Sequence, residues 1–116
     1  MRGRGDRLAA ALAERELDLY LVTDLTNVRY LTGFTGTNGA CICGPETRLF
    51  LTDFRYTERA AAEVEGWQTV TVKDDWLGGI AAQLGGRFGF EDDRVAVRLL
   101  ERLRGKLAEG VEPVAA

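Results

Sequence analysis

The chain has 116 residues, 46% of them hydrophobic and 28% charged, with a net charge of −3, which fits one domain with a modest core, too small to enclose a deep active site alone. Its arginines are spread among acids rather than gathered in a stripe, which excludes the electrostatic footprint of a nucleic-acid binder, and no apolar run is long enough to span a bilayer. Histidine and serine are both absent, so neither Ser-His-Asp nor Cys-His catalysis nor the common zinc sites can be assembled from this chain.

The amino terminus, Met-Arg-Gly-Arg-Gly-Asp, leads into a charged helix rather than a signal-peptide core, so the cytoplasm is the expected compartment. That first helix runs from Asp6, which can cap it, to about Glu16, with Leu8, Leu12 and intervening alanines on its apolar face. Leu19 to Thr23 is rich in strand formers and too short for a helix, which predicts a buried strand, and Asp24 and Asn27 mark a turn or short helical turn.

The stretch from Asn27 to Gly39 reads as a shaped, loop-rich insert. Gly33, Gly36 and Gly39 recur every third residue, and Tyr30, Leu31 and Phe34 offer bulky anchors. Ala40 to Cys43 is a second strand, Gly44-Pro45-Glu46-Thr47 a turn, and Arg48 to Thr52 a third strand closing a hairpin. Cys41 and Cys43 alternate with Ile42, so both project from one strand face as small buried hydrophobes.

Asp53 can cap a helix on which Thr57, Ala60, Ala61 and Val64 repeat at three and four residues, with Gly66 as its stop, and Gln68 to Val72 alternates like a fourth strand. Asp74 and Asp75 announce a further helix with Leu77, Ile80, Ala81 and Leu84 on one face and Gly85-Gly86 as its stop; Arg87 to Phe90 is a short strand. The cluster Glu91-Asp92-Asp93 precedes a last helix whose buried stripe is Ala96, Leu100, Leu103 and Leu107, and acids at a helix start are explained by its dipole rather than by a metal. Val111 to Val114 is a final short strand. Helices alternating with strands, plus one hairpin, predict an α/β fold, a mixed sheet of five to six strands in a three-layer α-β-α arrangement. The tail, ending without a finishing helix or turn, reads as a domain cut from a longer chain.

Two segments invite chemistry. Glycines in the Asn27–Gly39 stretch could face an anion with their amides, but the dinucleotide and P-loop spacings are both missing and a strand follows Gly39, so phosphate binding is set aside. Asp53-Phe54-Arg55-Tyr56 places an acid, a cation and two aromatics at a strand-to-helix junction. It reads first as a capped helix with Arg55 solvated, and second as an arginine able to grip a carboxylate with two parallel hydrogen bonds.

Taken in order, Asn-Val-Arg-Tyr-Leu-Thr-Gly-Phe-Thr-Gly-Thr-Asn-Gly (27–39), Leu-Phe-Leu-Thr-Asp-Phe-Arg-Tyr-Thr (49–57) and Gly-Phe-Glu-Asp (89–92) resemble the amino-terminal domain of the creatinase, prolidase and Xaa-Pro aminopeptidase family over nearly the whole chain. The resemblance implies a ribonuclease-H-like topology without ribonuclease chemistry, with residues 1–116 as the amino-terminal domain. Peptidase work then belongs to a carboxy-terminal pita-bread domain absent from this chain, which holds two divalent metal ions, manganese, cobalt or zinc. No catalytic residue, metal or cofactor is expected here.

By position, the family's loop over a neighbouring subunit's active site corresponds to Phe34, Thr35, Gly36, Thr37 and Asn38, with Arg55 and Tyr56 as candidate carboxylate or interface contacts. The arginine that creatinase-like members carry in this loop is replaced by Thr-Gly-Thr-Asn, which favours a proline-specific aminopeptidase or dipeptidase over creatine hydrolysis. The resemblance further implies a homodimer in the intact, cytoplasmic protein, a peptide substrate, and neither nucleic acid nor membrane as partner. The contrasting reading is a stand-alone binding or interaction domain of the same fold with no peptidase partner.

Overall fold

The computed structural model describes residues 10–12 and 14–115. The predicted start of the first helix, with Asp6 and Leu8, lies outside them; residues 10–12 and 14 are helical, and Leu12 is buried. Six strands follow, β1 (Leu19–Val22), β2 (Gly39–Cys43), β3 (Arg48–Asp53), β4 (Gln68–Val72), β5 (Arg87–Phe90) and β6 (Glu112–Ala115), with helices α1 (Leu25–Thr32), α2 (Thr57–Glu63), α3 (Trp76–Ala81) and α4 (Val97–Arg104) between them. They form one mixed sheet in the order β4-β3-β2-β1-β5-β6. β1, β2 and β3 pair antiparallel, whereas β3 with β4, β1 with β5 and β5 with β6 pair parallel.

Alternation along the central strands sends successive side chains to opposite faces. Leu21, Ile42, Leu51 and Phe88 join Leu77, Ile80 and Ala81 of α3 and Leu103 of α4 in one core. Val22, Cys41, Cys43 and Phe50 join Val28 and Leu31 of α1, Ala60 of α2, and Phe34 and Trp67 in the other. The sheet is thus covered on both faces, the three-layer arrangement expected. The two cysteines are both buried on the second face, and desolvation pushes the Cys41 thiol well above its ordinary range.

Three expectations need correction. Asn27 to Thr32 is helix, not loop: Asp24 accepts a hydrogen bond from the Asn27 amide as N-cap, and Gly33, at φ 85°, closes α1 with its amide donating to Arg29. The last helix begins at Val97, so Ala96 is an exposed N-cap; the packed residues are Leu99, Leu103 and, just past the helix, Leu107. The acids 91–93 therefore stand several residues before that helix, and Glu91 is buried elsewhere. Shorter helices explain the rest: α2 ends at Glu63 and α3 at Ala81, before the glycines taken as stops.

Candidate functional site

The loop Gly33–Asn38 connects α1 to β2 and is held by a side-chain frame from three other elements. Phe34 turns inward, its ring 4.7 Å from that of Phe50 on β3 and edge-on to Tyr56 at 5.5 Å. Thr32, buried at the end of α1, donates its hydroxyl to Val28 O at 2.8 Å and accepts from the Phe34 amide at 3.1 Å. Thr35 donates its amide (2.9 Å) and its hydroxyl (2.8 Å) to the Glu63 carboxylate at the end of α2. Those bonds hold Glu63 below its ordinary pKa, the amide contributing most. The Thr37 hydroxyl is hydrogen-bonded to the Tyr56 phenol. Asn38 donates to Asp53 at 2.8 Å, and its carbonyl accepts from Thr52 Oγ1 at 2.6 Å.

Gly36 has no room for a side chain: a Cβ there would stand 2.3 Å from Phe34 Cζ and 3.0 Å from Tyr56 Cδ1. What the loop offers outward is the exposed pair Thr35 and Thr37 with half-buried Asn38. It is a rigid, polar edge.

Asp53, at the end of β3, organises the neighbouring junction. It accepts from the Arg55 amide at 3.0 Å and from the guanidinium twice, Nε at 2.9 Å and an Nη at 2.8 Å. That fork, with Asn38 added, holds the Asp53 carboxyl well below the usual carboxylate range. The Arg55 guanidinium also lies 5.2 Å from the Tyr56 ring centre, and that of Arg59 5.5 Å from it. The Tyr56 phenol is lowered, first by its bond with Thr37 and less by Arg55. Phe54 is 68% exposed beside this cluster.

The candidate residues thus form one assembly: Phe34, Gly36 and Tyr56 pack together, Thr37 joins Tyr56, and Asn38 joins Arg55 through Asp53. The arginine fork predicted to suit a carboxylate closes on Asp53 of its own chain. Asp53 reads from the sequence as a helix cap, and Glu63 carries no sequence signal that ties it to the loop. Asp53 stands fifteen residues from Asn38 and Glu63 twenty-eight from Thr35, so only the sheet register brings them together.

An open groove of about 450 Å³ beside the loop is lined by residues that include Asp24, Thr26, Asn38, Trp76, Leu77 and Leu99. Among the described residues no group of three or more histidine, cysteine, aspartate or glutamate side chains could hold a metal ion. Asp53 is engaged by Arg55 and Asn38, and Glu91 by amide donors of residues 23, 24 and 27. This donor set does not fit a pair of divalent cations. Among the described residues no helix is long and apolar enough to cross a membrane.

Residues 4–116 match the model of the Creatinase/Prolidase N-terminal domain family. The N-terminal domain of the cytoplasmic peptidase PepQ from Mycobacterium tuberculosis superposes with a TM-score of 0.90 at 34% identity, over 100% of this chain and 94% of that one. The Xaa-Pro dipeptidase from Bacillus anthracis superposes with a TM-score of 0.89 at 26% identity, over 97% of this chain but 33% of its own. An uncharacterized peptidase of Bacillus subtilis, YqhT, is 40% identical over 65 residues, 56% of this chain and 18% of that protein. The chain therefore spans less than a fifth of this curated relative.

Proposed function

Since the chain belongs to the Creatinase/Prolidase N-terminal domain family, we propose that it is the non-catalytic domain of a proline-specific metallopeptidase, an Xaa-Pro aminopeptidase or dipeptidase of the cytoplasm. One observation carries the reading: the loop Phe34–Asn38 is fixed from four directions and still turns Thr35 and Thr37 outward. A loop that contributed only to this domain's own core would not need an exposed, hydrogen-bonded edge, whereas a rim presented to a neighbouring subunit's active site does.

In this reading Thr35, Thr37 and Asn38 face the peptide substrate bound by the other subunit of a homodimer. Arg55 and Tyr56 stiffen the rim through Asp53 and Thr37, and exposed Phe54 marks the adjoining contact. The two divalent metals, manganese, cobalt or zinc, belong to a carboxy-terminal pita-bread domain, consistent with a donor set here that does not suit them.

The test compares two proteins. This chain with added manganese should be folded and inert, and the intact protein should cleave Xaa-Pro peptides; a hydrolytic chain, or an intact protein inert towards such peptides, would overturn the proposal. A second reading, a stand-alone binding domain of the same fold, is favoured by the groove beside Trp76 and Asn38. It requires the chain to function with no peptidase partner.

A further inference from the structure

Glu91 belongs to the acidic cluster that the sequence assigns to a helix start, and the fold gives it other partners. It follows β5, is 4% exposed, and reaches across the parallel β1–β5 pair to the turn between β1 and α1. Oε1 accepts from the Thr23 amide at 2.8 Å and from the Asp24 amide at 3.0 Å. Oε2 accepts from Asn27 Nδ2. A carboxylate can only accept, so the Asn27 amide is oriented with its NH2 towards Glu91. These bonds anchor the first turn of α1, where negative charge is favoured by the helix dipole.

From that turn the connection runs unbroken to the rim. Val28, fully buried, fixes α1 on the sheet; the Thr32 hydroxyl bonds back to Val28 O and forward to the Phe34 amide, and the Gly33 amide donates to Arg29. We propose that Glu91 is a positioning residue, which sets where the loop Phe34–Asn38 stands by clamping the start of the helix whose far end carries that loop. Its consequence for catalysis rests on the rim reading above; the positioning itself does not.

A double-mutant cycle on this chain tests it. Asn27→Asp sets carboxylate against carboxylate. Glu91→Gln is milder: it keeps an acceptor for Thr23 and Asp24, and its NH2 can donate to a flipped Asn27 amide, so the bonds persist without the charge. The double variant E91Q/N27D restores the pair with donor and acceptor exchanged. Amide hydrogen exchange is read at Thr23 and Asp24, at Phe34 and Thr35, and along the β2–β3 ladder.

The clamp predicts about tenfold faster exchange at Phe34 and Thr35 in N27D, the scale of one lost charge-assisted hydrogen bond. E91Q should show a smaller rise, the ladder should be unchanged, and the double variant should return to within about twofold of the parent chain. Acceleration confined to Thr23 and Asp24, acceleration shared equally by the ladder, or a double variant no better than N27D would each overturn the proposal. In the intact protein, N27D should raise KM for an Xaa-Pro peptide more than it lowers kcat. An unchanged KM alongside the predicted exchange pattern would refute the rim reading and leave the positioning role standing.

Discussion

Replacing Gly36 by alanine adds one methyl group at the tightest point of the rim. The new Cβ would lie 2.3 Å from Phe34 Cζ and 2.7 Å from Cε2, well inside contact distance. The ring cannot step aside cheaply, because it is 1% exposed and seated against Phe50 and Tyr56. Alanine lowers the entropy of the unfolded chain, which favours folding by about 0.4–1 kcal/mol. Overpacking a filled site costs about 1–3 kcal/mol, so the balance is destabilising.

Taking the middle of each range, the net cost is roughly 1.3 kcal/mol, and at roughly 4 °C per kcal/mol for a chain of this size the thermal midpoint should fall by about 5 °C. Thermal unfolding followed by tryptophan fluorescence is the assay, since Trp67 belongs to the same core as Phe34. Gly85→Ala is the control, because a Cβ there meets nothing within 4 Å; its midpoint should hold or rise slightly. Pairing Gly36→Ala with Phe34→Leu removes the ring's far edge, and the two costs should then sum to more than the double variant shows. A Gly36→Ala chain as stable as the parent would refute the account of the loop as a filled site.

Asp53 gives a pH dependence with a definite sign. Its folded pKa is depressed, so its contribution is complete above the ordinary carboxylate range and fades as pH falls from about 4 downward. The melting difference between the parent chain and Asp53→Asn should be constant from neutral pH to about 5 and shrink below about 4. A difference that grew in acid would be the wrong sign. In alkaline titration followed at 295 nm, Tyr56→Phe should remove the earliest phase, because Thr37 lowers the Tyr56 phenol. The last phase should belong to Tyr20, raised by burial first and by Glu91 second; Thr37→Val should move the early phase upward. Phe88→Ala, at a fully buried position of β5, should cost about 3–5 kcal/mol in urea unfolding without altering the Tyr56 phase.

Much of the sheet was legible because each strand is a short run of strand formers bounded by turn residues, and the alternation at Leu21-Val22 and Cys41-Ile42-Cys43 assigns both faces. Helix α1 was not, for a physical reason. Thr26, Val28, Tyr30 and Thr32 are residues of low helix propensity, and their compatibility with the helix comes from burying Val28 and Leu31 against the sheet. The usable signal was Asp24, an N-cap followed by apolar residues at helical spacing. Glu91 was misassigned because acids near a helix are ordinarily explained by that helix. Its actual partners lie more than sixty residues away, a distance no local rule spans. The resemblance is what singled out the loop Phe34–Asn38 proposed as a rim, whereas the frame around it was not legible, since Glu63 and Asp53 meet the loop only through tertiary packing.

The place of β1 in the sheet also sets the order in which the chain can fold. β2 and β3 are joined by the tight turn 44–47 and β1 reaches β2 through α1, so these three strands, all within residues 19–53, can assemble early. β1 must then wait for β5, with Leu19 opposite Phe88 and Leu21 opposite Phe90, before its second edge is covered. During synthesis the middle of the sheet therefore remains an open edge until residue 90 has emerged. The residue that follows is Glu91. Closure of the sheet and the contacts of Glu91 with the start of α1 thus fall at the same moment of chain growth.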